Sequence, residues 1–201
     1  MEIDQIIKKI FEQQDEILSN LNFESIDVYL FLKNEHTKGD ILNNFVFQFV
    51  FRSYYRLDNA GLSDKIKNHY FELLASKQTK LESILSELYE IPTLRNNNTI
   101  QFSFATKLLH TIDNDFPIFD SEVGKIFSMG VSGVGRDAKI ASCIKIYDSL
   151  KIYYTELKKE EKIKEVISKF RQKFNVNTEK VSDTKILDFI IWSLGKLELK
   201  K

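Results

Sequence analysis

Helix-breaking residues are scarce in this chain: seven glycines and two prolines serve 201 positions. Glycine and proline are the strongest local terminators of regular structure, so the chain must run in long elements joined by short connections. The apolar spacing then selects the element. Ile3, Ile6, Ile7, Ile10 and Phe11 recur at i, i+3, i+4, i+7 and i+8, one face of a helix. A second helix is expected over about 24–34. Asp40 is a candidate N-cap for ILNNFVFQFVFRSYYR, long and apolar enough for a central core helix. SDKIKNHYFELLAS resumes after the break at Gly61, and Thr79 with Glu82 has the spacing of a capping box before ILSELYEI. PTLRNNNT reads as a polar loop and FSFATKLLHTI as the next helix. In DNDFPIF the residue before proline, Phe116, is pushed away from the α region, which predicts a short extended connection. Asp120 and Ser121 both offer N-caps to EVGKIF. The loop MGVSGVG leads into RDAKIASCIKIYDSLKIYYTELKK, then a helix over about 159–173, and finally SDTKILDFIIWSLGKL with Gly195 as its expected C-cap. The expectation is an all-α protein of about ten helices, residues 1–201 forming one domain with room for two lobes.

Composition narrows the function classes. With 43% hydrophobic and 29% charged residues, the chain can bury a sizeable core. No apolar run approaches the roughly 20 residues that span a bilayer, so no membrane partner is expected. The opening MEIDQIIKKIFEQQ lacks the apolar run of a secretory leader, and the lone Cys143 excludes an internal disulfide; a cytoplasmic location is expected. Cys143 lies in an apolar helical pattern and reads as buried filler. His36, His69 and His110 make no metal-ligand spacing with one another or with the cysteine, so neither metal nor cofactor is expected. The formal net charge of +0 gives no global field to attract nucleic acid. Residues 151–201, however, carry 13 Lys and Arg against 8 Asp and Glu, which leaves room for a local basic face. Most of those charges, KKEEKIKE above all, read as solvated helix surface. Arg52 and Arg56, four apart, read as surface residues that could alternatively touch phosphate.

Three groups of residues could carry chemistry. Lys107 stands beside Ala105, Leu108 and Leu109, and Asp120 follows 13 residues later at the mouth of a helix. A surface lysine and a helix cap would satisfy both residues structurally. A partly desolvated lysine instead has the lowered pKa that a nucleophilic amine requires. Asp188 and Trp192 are four apart, so they share a helix face. Trp192 alone would read as core. Gly133, Gly135 and Arg136 open a helix and form a candidate phosphate site through exposed backbone N–H groups.

The run FPIFDSEVGKIF resembles the segment of helix-hairpin-helix base-excision DNA glycosylases that delivers a catalytic aspartate to a helix N-terminus. Asp120 falls on that aspartate. LDFIIW is similar to the late helix that lines the base pocket in 8-oxoguanine DNA glycosylases, particularly the archaeal type. The resemblance covers residues 80–128 and 181–195, within a glycosylase-like region over 80–195. It implies a partner, double-stranded DNA with a damaged base, and a role in base excision repair. It further implies that Asp120 supports loss of the base, that Lys107 attacks the sugar in an AP lyase step, and that Asp188 and Trp192 hold the flipped purine. The family separates lysine and aspartate by a longer interval, which would set Ile100, Gln101 or Ser103 in the nucleophile's place and imply a glycosylase without lyase activity, or a relative without chemistry. The family's hairpin also lies before the lysine, where this chain has PTLRNNNT instead of paired glycines. Two further readings stand beside the glycosylase: a non-catalytic nucleic-acid-binding or host-defence module on the same fold, and an all-helical protein-interaction domain.

Overall fold

The computed structural model describes residues 2–198, which form eleven helices and no strand. In chain order they are α1 (Ile3–Glu12), α2 (Gln14–Ser19), α3 (Phe23–Lys38), α4 (Phe45–Tyr55), α5 (Asp64–Ala75) and α6 (Leu81–Tyr89). There follow α7 (Phe102–Ile112), α8 (Ser121–Ile126), α9 (Arg136–Lys159), α10 (Glu161–Phe174) and α11 (Asp183–Glu198). The all-α expectation holds. One hydrophobic core runs continuously from Ile6 to Leu197, with α1 packed on α9 and α10.

The centre of this arrangement is α11. It contacts α8, α2, α10, α9 and α1, and Ile186, Leu187, Ile190, Ile191 and Leu194 are wholly buried around its circumference. A helix apolar on every side belongs in the interior. Its tightest contact is with α8, and a glycine makes it possible. A Cβ at Gly195 would stand 2.7 Å from Glu122 Cβ. Gly195 is therefore not the expected C-cap. It lies within α11, which continues to Glu198, and its missing side chain admits α8.

Two other caps differ from expectation. Asn44, not Asp40, caps α4, its side chain accepting from Phe47 N at 2.9 Å, because Asp40–Asn43 is spent in a turn. The Thr79–Glu82 box does not form; Lys80 occupies the cap position of α6 without a side-chain bond, while the Gln78 side chain accepts from Lys80 N. Nor is α4 central. Phe47, Phe51 and Tyr55 are buried at i, i+4 and i+8, while Phe45, Val46 and Phe49 on the other side are exposed, as befits a helix at the edge of the bundle. Cys143 is fully buried as expected, and burial raises its thiol to about 11, so it is not a thiolate.

Alanine in place of glycine inside a helix ordinarily stabilises by up to about 1 kcal/mol. At Gly195 the sign should reverse, because the new methyl must displace α8; overpacking of this kind loses about 1–3 kcal/mol. Thermal denaturation of Gly195→Ala should show the drop, with Gly130→Ala as control, since a Cβ there meets nothing within 4 Å.

Candidate functional site

The site begins with a stretch of chain that is not helical. Between α7 and α8 the backbone passes through Pro117, Ile118 and Phe119 outside any helix, and all three are buried. Buried N–H and C=O groups without helix partners must find others. Three side chains supply them. The Thr106 hydroxyl accepts from Phe119 N at 3.0 Å and lies 3.3 Å from Phe119 O. One turn along α7, His110 Nδ1 lies 2.7 Å from Phe116 O. From α11, Asp188 Oδ1 accepts from Ile118 N at 3.2 Å.

This clamp fixes Asp120. Its Oδ1 accepts from Glu122 N at 2.9 Å and Val123 N at 3.0 Å, capping α8. The cap was legible in the sequence. The cap uses one carboxylate oxygen, and no group among the described residues donates to Oδ2. Asp120 also stands in the wall of a cleft.

The cleft encloses about 790 Å³ and is lined by both of the first two groups singled out for chemistry, Lys107 with Asp120 and Asp188 with Trp192. Their placement has a simple origin. On α11, Lys185, Asp188, Phe189, Trp192 and Lys196 follow i, i+3, i+4, i+7 and i+11, a single stripe, and that stripe forms one wall. Ser103, Phe104 and Lys107 of α7 form a second wall, and Tyr54, Tyr55 and Arg56 at the end of α4 form a third. Of the alternative nucleophile positions, Ser103 lines the cleft one turn before Lys107, whereas Ile100 and Gln101 do not.

Lys107 is partly buried. Its Nζ donates to Tyr55 O at 3.3 Å and lies 4.9 Å from the Phe104 ring centroid and 5.8 Å from that of Tyr55. Burial lowers its pKa to about 8; the Asp120 carboxylate opposes that shift, while Lys185 and Arg56 add to it. About a tenth of the amine is then neutral at pH 7. That fraction is enough for a nucleophile.

Asp188 is more deeply set. Besides Ile118 N, its Oδ1 accepts from the Tyr154 hydroxyl at 2.7 Å. Oδ2 is buried and accepts no hydrogen bond. Burial raises the carboxyl to about 7 against the pull of Lys185 and of its two donors, with the Asp120 charge raising it further. His110 Nδ1 stands 3.8 Å from Oδ2 but is no counter-ion. A carbonyl only accepts, so Nδ1 carries a proton for Phe116 O and Nε2 is left to accept from the Tyr29 hydroxyl at 3.4 Å. Complete burial pushes this neutral imidazole down to about 3. Glu122, also buried, is bound to Lys125 and Lys196 and is not a free acid.

Gly133 and Gly135, in the connection before α9, and Arg136, the first residue of α9, are not among the residues that line the cleft. Gly133 adopts φ +101°, and a Cβ there would meet Ala138 Cβ at 2.9 Å, so its requirement is steric. Arg136 is paired with Glu90 at 3.2 Å. Arg52 is paired with Asp58 at 3.2 Å, whereas Arg56, at a left-handed C-cap with φ 60°, reaches the cleft. Sequence reasoning passed over Lys185, although its spacing of three from Asp188 in an apolar stretch was a usable signal. Thr106, His110, Tyr55 and Tyr154 carried no such signal. Among the described residues no three His, Cys, Asp or Glu side chains gather to hold a metal ion, and no helix is long and apolar enough to cross a membrane. Compared with family models, curated proteins and solved structures, the chain matches none.

Asp188 and His110 set opposite pH dependences. Asp188 is raised above its unfolded value near 3.9, so the folded protein holds the extra proton between roughly pH 4 and 7 and loses stability as pH rises through that window. His110 is depressed below its unfolded value near 6.5, so stability is lost as pH falls from about 6.5 toward 3. In the wild type the two slopes oppose each other. Asp188→Asn keeps an oxygen for Tyr154 and Ile118 and removes the titration. Its unfolding free energy should therefore fall on acidification from pH 6.5 to 4.5, by up to about 1.4 kcal/mol per pH unit, while the wild type stays flatter. Denaturant melts across that range would refute this if the two profiles ran parallel.

Proposed function

We propose that the protein is a DNA base-excision glycosylase of the helix-hairpin-helix kind, acting on an oxidised purine such as 8-oxoguanine. The observation that carries the reading is convergence: Lys107, Asp120, Asp188 and Trp192, distributed over two segments some 70 residues apart, line one cleft. Its volume of about 790 Å³ lies within the roughly 300–1,000 Å³ of small-molecule sites, ample for one extruded nucleotide. Trp192, half-buried at the cleft, offers a stacking face, and Asp188 a carboxylate for the base edge.

The chemistry follows from the amine and the carboxylate. The neutral Lys107 Nζ directs its lone pair at the anomeric carbon of the extruded nucleotide. The glycosidic bond breaks with its electron pair leaving on the base, which takes up a proton. Asp120, with one oxygen committed to the α8 cap, sets its other against the positive charge developing on the sugar. The amine nitrogen passes a proton to the ring oxygen, the bond from that oxygen to the anomeric carbon breaks with its electron pair staying on oxygen, and the nitrogen lone pair forms an iminium between Nζ and the former anomeric carbon. Loss of a proton from the neighbouring carbon then expels the 3′ phosphate, and water hydrolyses the iminium to release the lysine.

A second reading, a nucleic-acid-binding module without chemistry, is favoured by one contact. The Lys107 Nζ donates to Tyr55 O and would have to leave it to attack.

Borohydride reduction distinguishes the two. Wild type with duplex containing 8-oxoguanine should yield a covalent protein–DNA adduct that Lys107→Gln does not. Asp120→Asn should still cap α8, since asparagine caps about as well, and should lose base release by about 10²–10³-fold. Base release without trapping would leave a glycosylase with Asp120 acting on water; neither activity from protein that binds the duplex would leave the binding module.

The trapping rate also has a predicted pH dependence. The reactive form is the free amine, so the rate should rise with pH through about 8 and level off above it. A rate already flat from pH 6.5 upward would show that Lys107 is not the titrating nucleophile.

A further inference from the structure

Helix α4 is apolar nearly all the way round, yet the chain covers only one side of it. Phe47, Phe51 and Tyr55 pack into the core, while Phe45, Val46 and Phe49 on the opposite side are 75%, 65% and 63% exposed. A helix apolar on every side belongs between two bodies, as α11 does inside the bundle. The outer stripe does not stop at the helix. Leu42, in the turn three residues before Phe45, continues it and is 47% exposed. α3 packs against α4, and its Glu35 holds the Asn44 side chain at the start of α4 at 3.0 Å. Phe31, one turn before Glu35 on the same face of α3, is 37% exposed. Of the ten exposed large hydrophobic side chains among the described residues, five lie between Phe31 and Phe49, so the exposure is a patch and not a scatter.

Charge and area narrow what covers this face. The ion pairs at its border are internal, Glu35 with Lys38 and Arg52 with Asp58. A partner selected by opposite charge finds little to read there, whereas the same apolar stripe on a second copy of this chain matches it in kind. A two-fold axis sets one patch against itself, the isologous arrangement of most homodimers. The five side chains expose on the order of 500 Å², or about 1,000 Å² over two copies, which reaches the lower bound for a specific interface. We propose that the outer face of α4, with Phe45, Val46 and Phe49 at its centre, is the interface of a homodimer in which α4 packs against α4 of a second copy. None of these three residues lines the cleft. Pairing therefore leaves the cleft of each copy open, and the inference is independent of what the cleft binds.

Sedimentation velocity of the full chain tests this directly. At tens of micromolar, wild type should sediment with twice the 23.6 kDa mass of one chain and dissociate on dilution. Phe45→Glu and Phe49→Glu should each weaken the dimer by about 100-fold or more, because every interface then buries carboxylates against apolar surface without a partner. Both positions face solvent in the single chain, so the variants should keep the helical circular dichroism signal and melting temperature of a folded protein. A glutamate at position 45 even suits the first turn of α4, where the helix dipole favours negative charge. Ile152→Glu on α9 is the matched control, since Ile152 is as exposed as Phe49 but lies outside the patch, and it should leave the dimer intact. A wild type that stays monomeric at that concentration, a dimer that survives both substitutions, or one lost equally in Ile152→Glu would each overturn the inference. A monomer that floats with phosphatidylcholine vesicles, and loses that flotation in Phe45→Glu and Phe49→Glu, would overturn it too and assign the face to a lipid surface.

Discussion

The structure turns on the need to satisfy the backbone of one short non-helical segment. Through Pro117, Ile118 and Phe119 the chain passes through the interior without a helix to absorb its polar groups. Thr106 and His110, four apart on α7, and Asp188 on α11 take up that role. Because the clamp comes from two helices, it sets their spacing as well as the segment's path. Asp120 is the first residue beyond the clamp, so the cap of α8 and the wall of the cleft share one constraint. Gly195 completes it from the other side by letting α8 lie directly on α11.

This arrangement makes Asp188 serve two purposes. One oxygen is structural, tied to Tyr154 and Ile118, and the other is buried without a donor. A carboxylate used only as a clamp would be expected to fill both oxygens, since an unsatisfied buried acceptor is destabilising. Lys185 and Lys107 are likewise held below the ordinary lysine pKa by burial, Lys107 with a single backbone acceptor. Three partly or wholly desolvated charges around one opening sacrifice stability. Perturbed titration of this kind concentrates at functional sites. The tyrosines behave differently. Tyr29 and Tyr154 are held above their ordinary pKa by burial, stay protonated, and act as fixed donors to His110 and Asp188.

The N-terminal third, which carried no motif, proves to be part of the same wall. The end of α4 brings the Tyr55 carbonyl to Lys107, and the left-handed turn at Arg56 carries that residue into the cleft. The glycine-bearing connection before α9 resembled a phosphate site and is not part of this wall. Gly133 answers to the closeness of Ala138, and Arg136 is occupied by Glu90. Chain geometry therefore requires glycine at position 133.

What the sequence determined is what depends on neighbours a few residues away. The 3.6-residue period marked the helices, the Pro117 ring forced the non-helical connection, Asp120 announced itself as a cap, and Asp188 with Trp192 shared a face by spacing. Local signals also misled where two satisfied the same rule: Asp40 and Asn44 both suit an N-cap, and Gly195 has the composition of a helix end but serves a helix crossing. The tertiary structure alone decided that Lys107 meets Tyr55 O, that Lys185 is buried on Tyr29 and Phe189, and that Ile118 N finds Asp188 across 70 residues. These contacts join residues whose separation leaves no periodic trace. A pattern records which face of a helix is apolar, and only packing determines which other face it meets.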